Sequence, residues 1–259
     1  MDPILIVGSP RTGTTALALG LQAAGISGFS EGHLLMLFVR VEQTITKYYQ
    51  DEAANTLPGT LLHALPIHKL VSAYRDLARS IVDEAHDSKP WFDKTAHGGM
   101  VGCLPFFRSM WPDAKVIFTK RRPIENLQSR LKKFPHMSFT EHCTDLRYVF
   151  LTWAKMRDQM GNWLEIDQYD LITECEATSK TIADFLELDP GPAMSFYETV
   201  LNTHPERSAA SYEPLKFSSL DWDVDTKETF VTQMDEVMKL FNYGYESYQA
   251  QQRPKFSKC

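Results

Sequence analysis

Gly8-Ser9-Pro10-Arg11-Thr12-Gly13-Thr14-Thr15 lies between the apolar run Ile4-Leu5-Ile6-Val7 and a helical pattern from Thr14 to Ala24. Two glycines in G-x(4)-G spacing, followed by hydroxyl residues at a strand-to-helix junction, are the ingredients of an anion-binding loop. Turn N–H groups and the positive end of the helix dipole converge on a negative group there. The Walker pattern requires Lys at the position of Thr14. Here that Lys is missing, and a cation, Arg11, sits inside the loop instead. Ser9, Pro10, Arg11, Thr12, Gly13, Thr14 and Thr15 therefore suit a compact anionic group held without a metal. Kinase chemistry, in which the Lys reaches the β/γ-phosphates and the next hydroxyl holds Mg²⁺, fits less well.

A second concentration of charge follows later. Lys120, Arg121, Arg122, Arg130, Lys132 and Lys133 place six cations within fourteen residues against one acid, Glu125, in a chain of net charge -6. Such a cluster is expected to act as a local anion trap. With Ile124 to Lys133 helical, Ser129 lies more than a turn beyond the Arg pair and is placed to share an anion with it. The remaining chemistry-bearing residues are Asp93-Lys94-Thr95, His97 and Glu31-Gly32-His33. His68, His86, His136, His142 and His204 read as ordinary polar loop residues.

The elements that must position these residues follow from periodicity. Ile4 to Val7, Ala114 to Thr119 and Trp163 to Asp167 read as buried strands. Helices are expected from Thr14 to Ala24, Leu34 to Tyr49, Ile67 to Ala85, Ile124 to Lys133, Phe139 to Met160, Glu176 to Leu186 and Lys227 to Tyr248. Strands alternating with helices predict an α/β fold, a central parallel sheet flanked by helices in three layers. Residues 203 to 226 show no clear periodicity and read as a lid or binding loop.

The loop from Ile4 to Thr15 resembles the 5′-phosphosulfate loop of the sulfotransferase superfamily, whose members use 3′-phosphoadenosine-5′-phosphosulfate (PAPS). Val116 to Thr119, Arg121, Pro123 and Ser129 resemble that family's 3′-phosphate motif. Asp93-Lys94-Thr95 resembles its K-T-P or K-T-H element, and Tyr169-Asp170-Leu171 with Ile182, Phe185-Leu186 and Leu188 its Y-E-D-L stretch. The resemblance covers residues 4 to 32 and 91 to 190, and points to the bacterial and carbohydrate-type branches with a P-loop-like fold. It implies PAPS as donor and adenosine 3′,5′-bisphosphate (PAP) as product. Arg121 and Ser129 would hold the 3′-phosphate, and Tyr169 and Lys216, with Arg207, Tyr212 and Ser218, further parts of the nucleotide. Arg11 and Lys94 would stabilise charge on the sulfonate and the bridging oxygen, supported by the Thr14 and Thr15 hydroxyls. For the general base Glu31 ranks first, then His33 and His97, the last offset by one residue from the aryl branch's base. No acid cluster has metal-ligand spacing, so no metal is expected.

Composition sets the outer limits. At 259 residues and 43% hydrophobic content, residues 1–259 fit a single domain with a sizeable core. The acidic balance disfavours nucleic acid as a partner. No apolar run approaches the ~20 residues of a membrane span. Cys103, Cys143, Cys175 and Cys259 are widely spaced, which favours free thiols in a reducing, cytoplasmic setting. The expected reaction is sulfuryl transfer to a hydroxyl or amine of a small-molecule or saccharide acceptor, shaped by segments such as residues 34 to 90. A P-loop nucleoside or small-molecule kinase is the alternative, and a non-catalytic nucleotide-binding module the third possibility. Oligomeric state has no signal in the sequence.

Overall fold

The computed structural model describes residues 2–29, 31–51, 56–87, 89–203, 213–248 and 256–257. The chain runs β1 (Ile4–Gly8), α1 (Thr14–Ala23), β2 (Ser27–Phe29), α2 (Leu34–Asp51), α3 (Leu61–Ala64), α4 (Ile67–Ala85) and β3 (Trp91–Lys94). It continues through α5 (Gly98–Gly102), α6 (Leu104–Met110), β4 (Lys115–Lys120), α7 (Pro123–Lys133) and α8 (Phe139–Met156). The last part holds β5 (Trp163–Asp167), α9 (Gln168–Thr173), α10 (Cys175–Leu186), α11 (Pro190–Thr203), α12 (Val224–Leu240) and β6 (Phe256–Ser257).

The sheet order is β2-β3-β1-β4-β5-β6. The first five strands are mutually parallel, as the strand–helix alternation predicts. Period-2 alternation along β1 shows why the sheet has to be covered twice. Ile4 and Ile6 pack with Leu17, Leu21, Phe92, Ile182 and Phe196, the side of α1, α10 and α11. Leu5 and Val7 pack with Trp91, Phe107, Phe118, Phe150 and Trp153 on the opposite side. This is the expected three-layer α/β arrangement.

Several elements depart from expectation. β6 pairs antiparallel with β5, so the sheet is not parallel throughout. β2 and β3 escape sequence reading: one is a Ser-Gly-Phe triplet, and the other ends in Asp93 and Lys94, charged residues only 4% and 3% exposed. α11 is likewise unforeseen, because Pro190 and Gly191 open it. The helix expected from Lys227 to Tyr248 is shifted. It starts at Val224, where Asp223 caps it by accepting from the Thr226 N–H (2.8 Å). It stops at Leu240, before Asn242 with its positive φ of 57°. α8 also ends early, at Met156, and a 3₁₀ turn follows over Arg157–Gln159. Among the described residues no helix is long and apolar enough to cross a membrane.

Candidate active site

β1 sits between β3 and β4, so the chain leaves it for one side of the sheet and later returns to the other. In open α/β sheets such a switch point opens a crevice at the carboxyl ends of the strands. The loop after β1 is therefore flanked by Lys94 at the end of β3 and by Arg121 just beyond β4. Gly8 allows β1 to end close against Thr119 of β4. A Cβ there would lie 2.4 Å from the Thr119 carbonyl oxygen.

Most of the loop's side chains fasten it to its surroundings. Thr12 Oγ1 donates to the Ser9 carbonyl (2.7 Å) and lies 2.6 Å from Thr119 Oγ1. Ser9 Oγ accepts from Arg130 Nη1 (3.0 Å), and the Pro10 carbonyl accepts from Asn126 Nδ2 (3.0 Å). Ser9 and Thr12 are fully buried, so their hydroxyls act as scaffold. Arg11 and Gly13 take positive φ (72° and 88°), the kind of turn in which successive N–H groups form an anion-binding concavity. Gly13 caps α1 without a side-chain acceptor. Thr14 is buried and Thr15 exposed in the first turn of that helix. Arg11 itself is exposed, and its Nε donates to Ser129 Oγ (2.9 Å). Arg121 Nη1 donates to the Arg11 carbonyl (3.4 Å). Arg11, Arg121 and Ser129, from two distant segments, thus meet at one edge.

The expected six-cation trap is narrower than its composition. Lys120 pairs with Glu165 (3.3 Å) and Arg130 with Asp145 (2.6 Å). Arg122 is wholly buried against Glu125 (Nε to Oε2, 2.7 Å) and donates to the carbonyls of Gly244 (3.0 Å) and Leu215. Half of the cluster therefore holds the fold together, since a buried cation needs a partner. The i,i+3 spacing of Arg122 and Glu125 was a signal for that pairing.

On the other flank the Glu31-Gly32-His33 strap crosses the end of β3. The Gly32 N–H donates to the Lys94 carbonyl (3.1 Å) and the His33 N–H to Thr95 Oγ1 (3.2 Å). Lys94 Nζ donates to Glu31 Oε1, while Glu31 Oε2 lies 3.7 Å from His33 Nε2. Lys94 is buried and Glu31 half exposed. Beneath the strap Asp93 accepts from Thr95 Oγ1 (3.2 Å), and a Cβ on Gly32 would meet its Oδ1 at 1.8 Å. Only glycine passes over that carboxyl. Asp93 as the strap's platform was missed from sequence, because its neighbour Lys94 carried the recognisable pattern.

Burial pushes the Asp93 pKa up to about 6, partly opposed by the Thr95 hydrogen bond. A raised folded-state value means the stability contribution is complete below the unfolded pKa and is lost as pH rises through the folded one. Asp93→Asn should therefore match the native chain near pH 4 and gain on it between pH 4 and 6. Above that the gain should level off, on the order of 1–3 kcal/mol. Urea unfolding of both proteins from pH 4 to 8 checks this, and a constant difference across that range would refute it.

His97 caps α5, its Nδ1 accepting from the Gly99 N–H (2.9 Å). In that tautomer the proton is on Nε2, which leaves no lone pair for a general base. Tyr169 lies in α9 beyond β5, its ring stacked on Tyr248 (4.0 Å between centroids). Lys216 is exposed beside Leu215, whose N–H donates to Glu125 Oε1 (3.0 Å) and so ties that segment to the start of α7. Ser218 is occupied by Glu246 (2.6 Å). Of the expected lid, Arg207 and Tyr212 lie outside the described residues.

Comparison with known proteins agrees with this arrangement. No curated protein sequence matches the chain. The sulfotransferase domain of the Synechococcus PCC 7002 olefin synthase superposes with a TM-score of 0.56 at 19% identity, covering 94% of this chain and 95% of that one. The sulfotransferase domain from the curacin biosynthetic pathway gives 0.54 at 18% identity, covering 90% and 97%. Sulfotransferase STF9 from Mycobacterium avium gives 0.58 at 13% identity, covering 95% and 78%. At these identities the likeness speaks for the fold. A family model described as the sulfotransferase family matches residues 3–191. That match spans well over half of the sequence, sets the kinase alternative aside, and shows that the chain belongs to the sulfotransferase family.

Proposed function

We propose that this chain, a single domain over residues 1–259 working in the cytoplasm, transfers a sulfuryl group from PAPS to a hydroxyl or amine of a small-molecule or saccharide acceptor. The observation that carries the donor assignment is the meeting of Arg11, Ser129 and Arg121 across 118 and 110 residues of chain. An isolated phosphate loop needs only the first of these segments. A ligand with anionic groups at both its 5′ and 3′ positions needs both. The buried Lys94 and the Arg11 loop supply cations where metal would otherwise neutralise charge.

PAPS supplies the activated sulfuryl group. The turn N–H groups after Gly8, with Arg11, Thr14 and Thr15, hold the 5′-phosphosulfate, while Ser9, Pro10, Thr12 and Gly13 shape the turn. Arg121 and Ser129 hold the 3′-phosphate, and Tyr169 and Lys216 complete the nucleotide contacts. As the acceptor's oxygen or nitrogen bonds to sulfur and the bridging S–O bond breaks, Lys94 meets the charge growing on the bridging oxygen. Glu31 takes the acceptor's proton, and His33 orients Glu31. Catalysis of this kind is positioning plus charge stabilisation.

The test is thermal unfolding with PAP, adenosine 5′-phosphate and ATP-Mg²⁺. PAP at ~100 times its Kd should stabilise by about 2.7 kcal/mol, roughly 5–10 °C at this size. ATP-Mg²⁺ should do much less. Arg121→Ala should weaken PAP by about 10–100-fold, the worth of a charge-assisted hydrogen bond, and adenosine 5′-phosphate less than threefold. Equal losses for the two ligands would remove Arg121 from the 3′-phosphate site.

A further inference from the structure

One face of α7 grips the anion loop. Asn126, Ser129 and Arg130 stand at i, i+3 and i+4, so they share that face. They meet three successive loop residues. Asn126 Nδ2 donates to the Pro10 carbonyl (3.0 Å), Ser129 Oγ accepts from Arg11 Nε (2.9 Å), and Arg130 Nη1 donates to Ser9 Oγ (3.0 Å). Ser9 Oγ donates in turn to the Pro10 carbonyl (3.2 Å), which closes the bonds into a circuit through the helix. Ser9, Asn126 and Arg130 are all buried. Behind Arg130 stands α8, where Asp145 Oδ2 accepts from Arg130 Nη2 (2.6 Å). The start of α8 is fixed by a capping box between Ser138 and Glu141.

The transfer chemistry above gives Asn126, Arg130 and Asp145 no contact with the ligand. What they hold is a turn that needs holding. Arg11, a residue with a side chain, sits at φ 72°, and such a conformation persists where its surroundings fix it. The helix that fixes it also carries Ser129 and begins directly after Arg121 and Arg122. Both anion sites of the proposed donor are therefore anchored on α7. We propose that Asn126 and Arg130, with Asp145 acting through Arg130, are positioning residues that set the separation between the 5′ loop and the 3′-phosphate site. The inference rests on the sulfuryl-transfer reading and adds to it a device for selecting a donor with two linked anions. A ligand engages two sites at once only when its span matches theirs. A misplacement of about 1 Å is enough to cost on the order of 10²-fold in rate. A monophosphate uses one site and does not sense the separation.

Calorimetric titration of PAP, adenosine 5′-phosphate and adenosine 3′-phosphate into the full chain tests the proposal. Ser9→Ala and Asp145→Ala should each weaken PAP by about tenfold, and each monophosphate by less than about threefold. Asp145→Asn keeps an oxygen for Arg130 Nη2 and should recover most of the loss. In the Ser9→Ala background Asp145→Ala should add less than about twofold, because Arg130 then has no loop hydroxyl to hold. A role confined to stability would lower the unfolding temperature and leave the preference for PAP over the monophosphates unchanged. Ser9→Ala deletes a single oxygen and so leaves a folded protein even where loss of the Asp145 carboxylate does not. Equal losses for PAP and the monophosphates, or native PAP affinity in Ser9→Ala, would overturn the positioning role. Losses that multiply in the double variant would overturn the relay through Arg130. If PAP binds the native chain tightly and the losses are not selective, the positioning role alone falls. If PAP binds the native chain no more tightly than the monophosphates, the donor assignment falls and the proposal with it.

Discussion

Lys94→Ala should lower kcat for sulfuryl transfer by about 10²–10³-fold while leaving PAP affinity within a few-fold of native, the scale seen when one preorganised charge-stabilising group is removed. The expectation follows from where Lys94 stands. It closes β3, which runs beside β1 and in register with it (Ile6 opposite Lys94), so it stands at the strand ends from which the anion loop leaves. It is 3% exposed, and it pairs with Glu31, a carboxylate half open to solvent. A cation so little hydrated acts strongly on charge developing beside it, because the low local dielectric magnifies the interaction. The bridging oxygen that Lys94 would serve stays with the product in its 5′-phosphate, where the loop N–H groups and Arg11 also hold it, so the loss should appear mainly in kcat and only within a few-fold in PAP binding. Lys94→Arg should rescue poorly, since a planar guanidinium does not fit a space built around a compact ammonium. Stability should change little, because Glu31 is free to rehydrate once its partner is gone. Single-turnover kinetics with PAP titrations check the split. A native kcat in Lys94→Ala, or equal losses in kcat and PAP affinity, would take Lys94 out of the charge-stabilising role.

The neighbourhood of Lys94 also shows which parts of the site a sequence can disclose. The strand, turn and helix from Ile4 to Ala23 were legible because their signals are local: a continuous apolar run, two glycines and a helical period. Arg121 and Ser129 were legible through their spacing after a buried strand. That Arg11 bonds Ser129 was not, because the contact depends on the order β3-β1-β4, which periodicity does not encode. Composition misjudged the basic cluster for a related reason. The partners that neutralise Lys120 and Arg130, Glu165 and Asp145, come from β5 and α8, far outside any local window. β3 escaped because two buried charges interrupt its apolar pattern. Of those charges Lys94 pairs with Glu31 of the strap, and Asp93 lies beneath Gly32 of the same strap. Local rules failed most at residues proposed above to be functional, as expected where chemistry overrides propensity.

Glu31→Gln should reduce kcat by about 10²–10⁴-fold, the range for loss of a positioned general base. Gln keeps an amide oxygen for Lys94 Nζ to donate to, so the strap and its hydrogen bond survive while the capacity to take a proton is lost. PAP stabilisation should therefore match the native protein, which separates lost chemistry from a lost site. His33 provides the control. Its backbone N–H is fixed by Thr95 Oγ1 (3.2 Å), its φ is 57°, and its ring lies 3.7 Å from the far oxygen of Glu31. A residue that only orients the base should cost less than about tenfold as His33→Gln, and the double variant should be no slower than Glu31→Gln alone. His97→Gln should leave kcat near native, because the His97 ring caps α5. Were His33→Gln to lose as much as Glu31→Gln is expected to, with Glu31→Gln near native, the proton would go to the imidazole and Glu31 would be its orienting partner. Parallel kcat values for the four variants with one acceptor decide between the two assignments. The carboxylate is favoured because it alone touches both the buried cation of β3 and the imidazole of the strap.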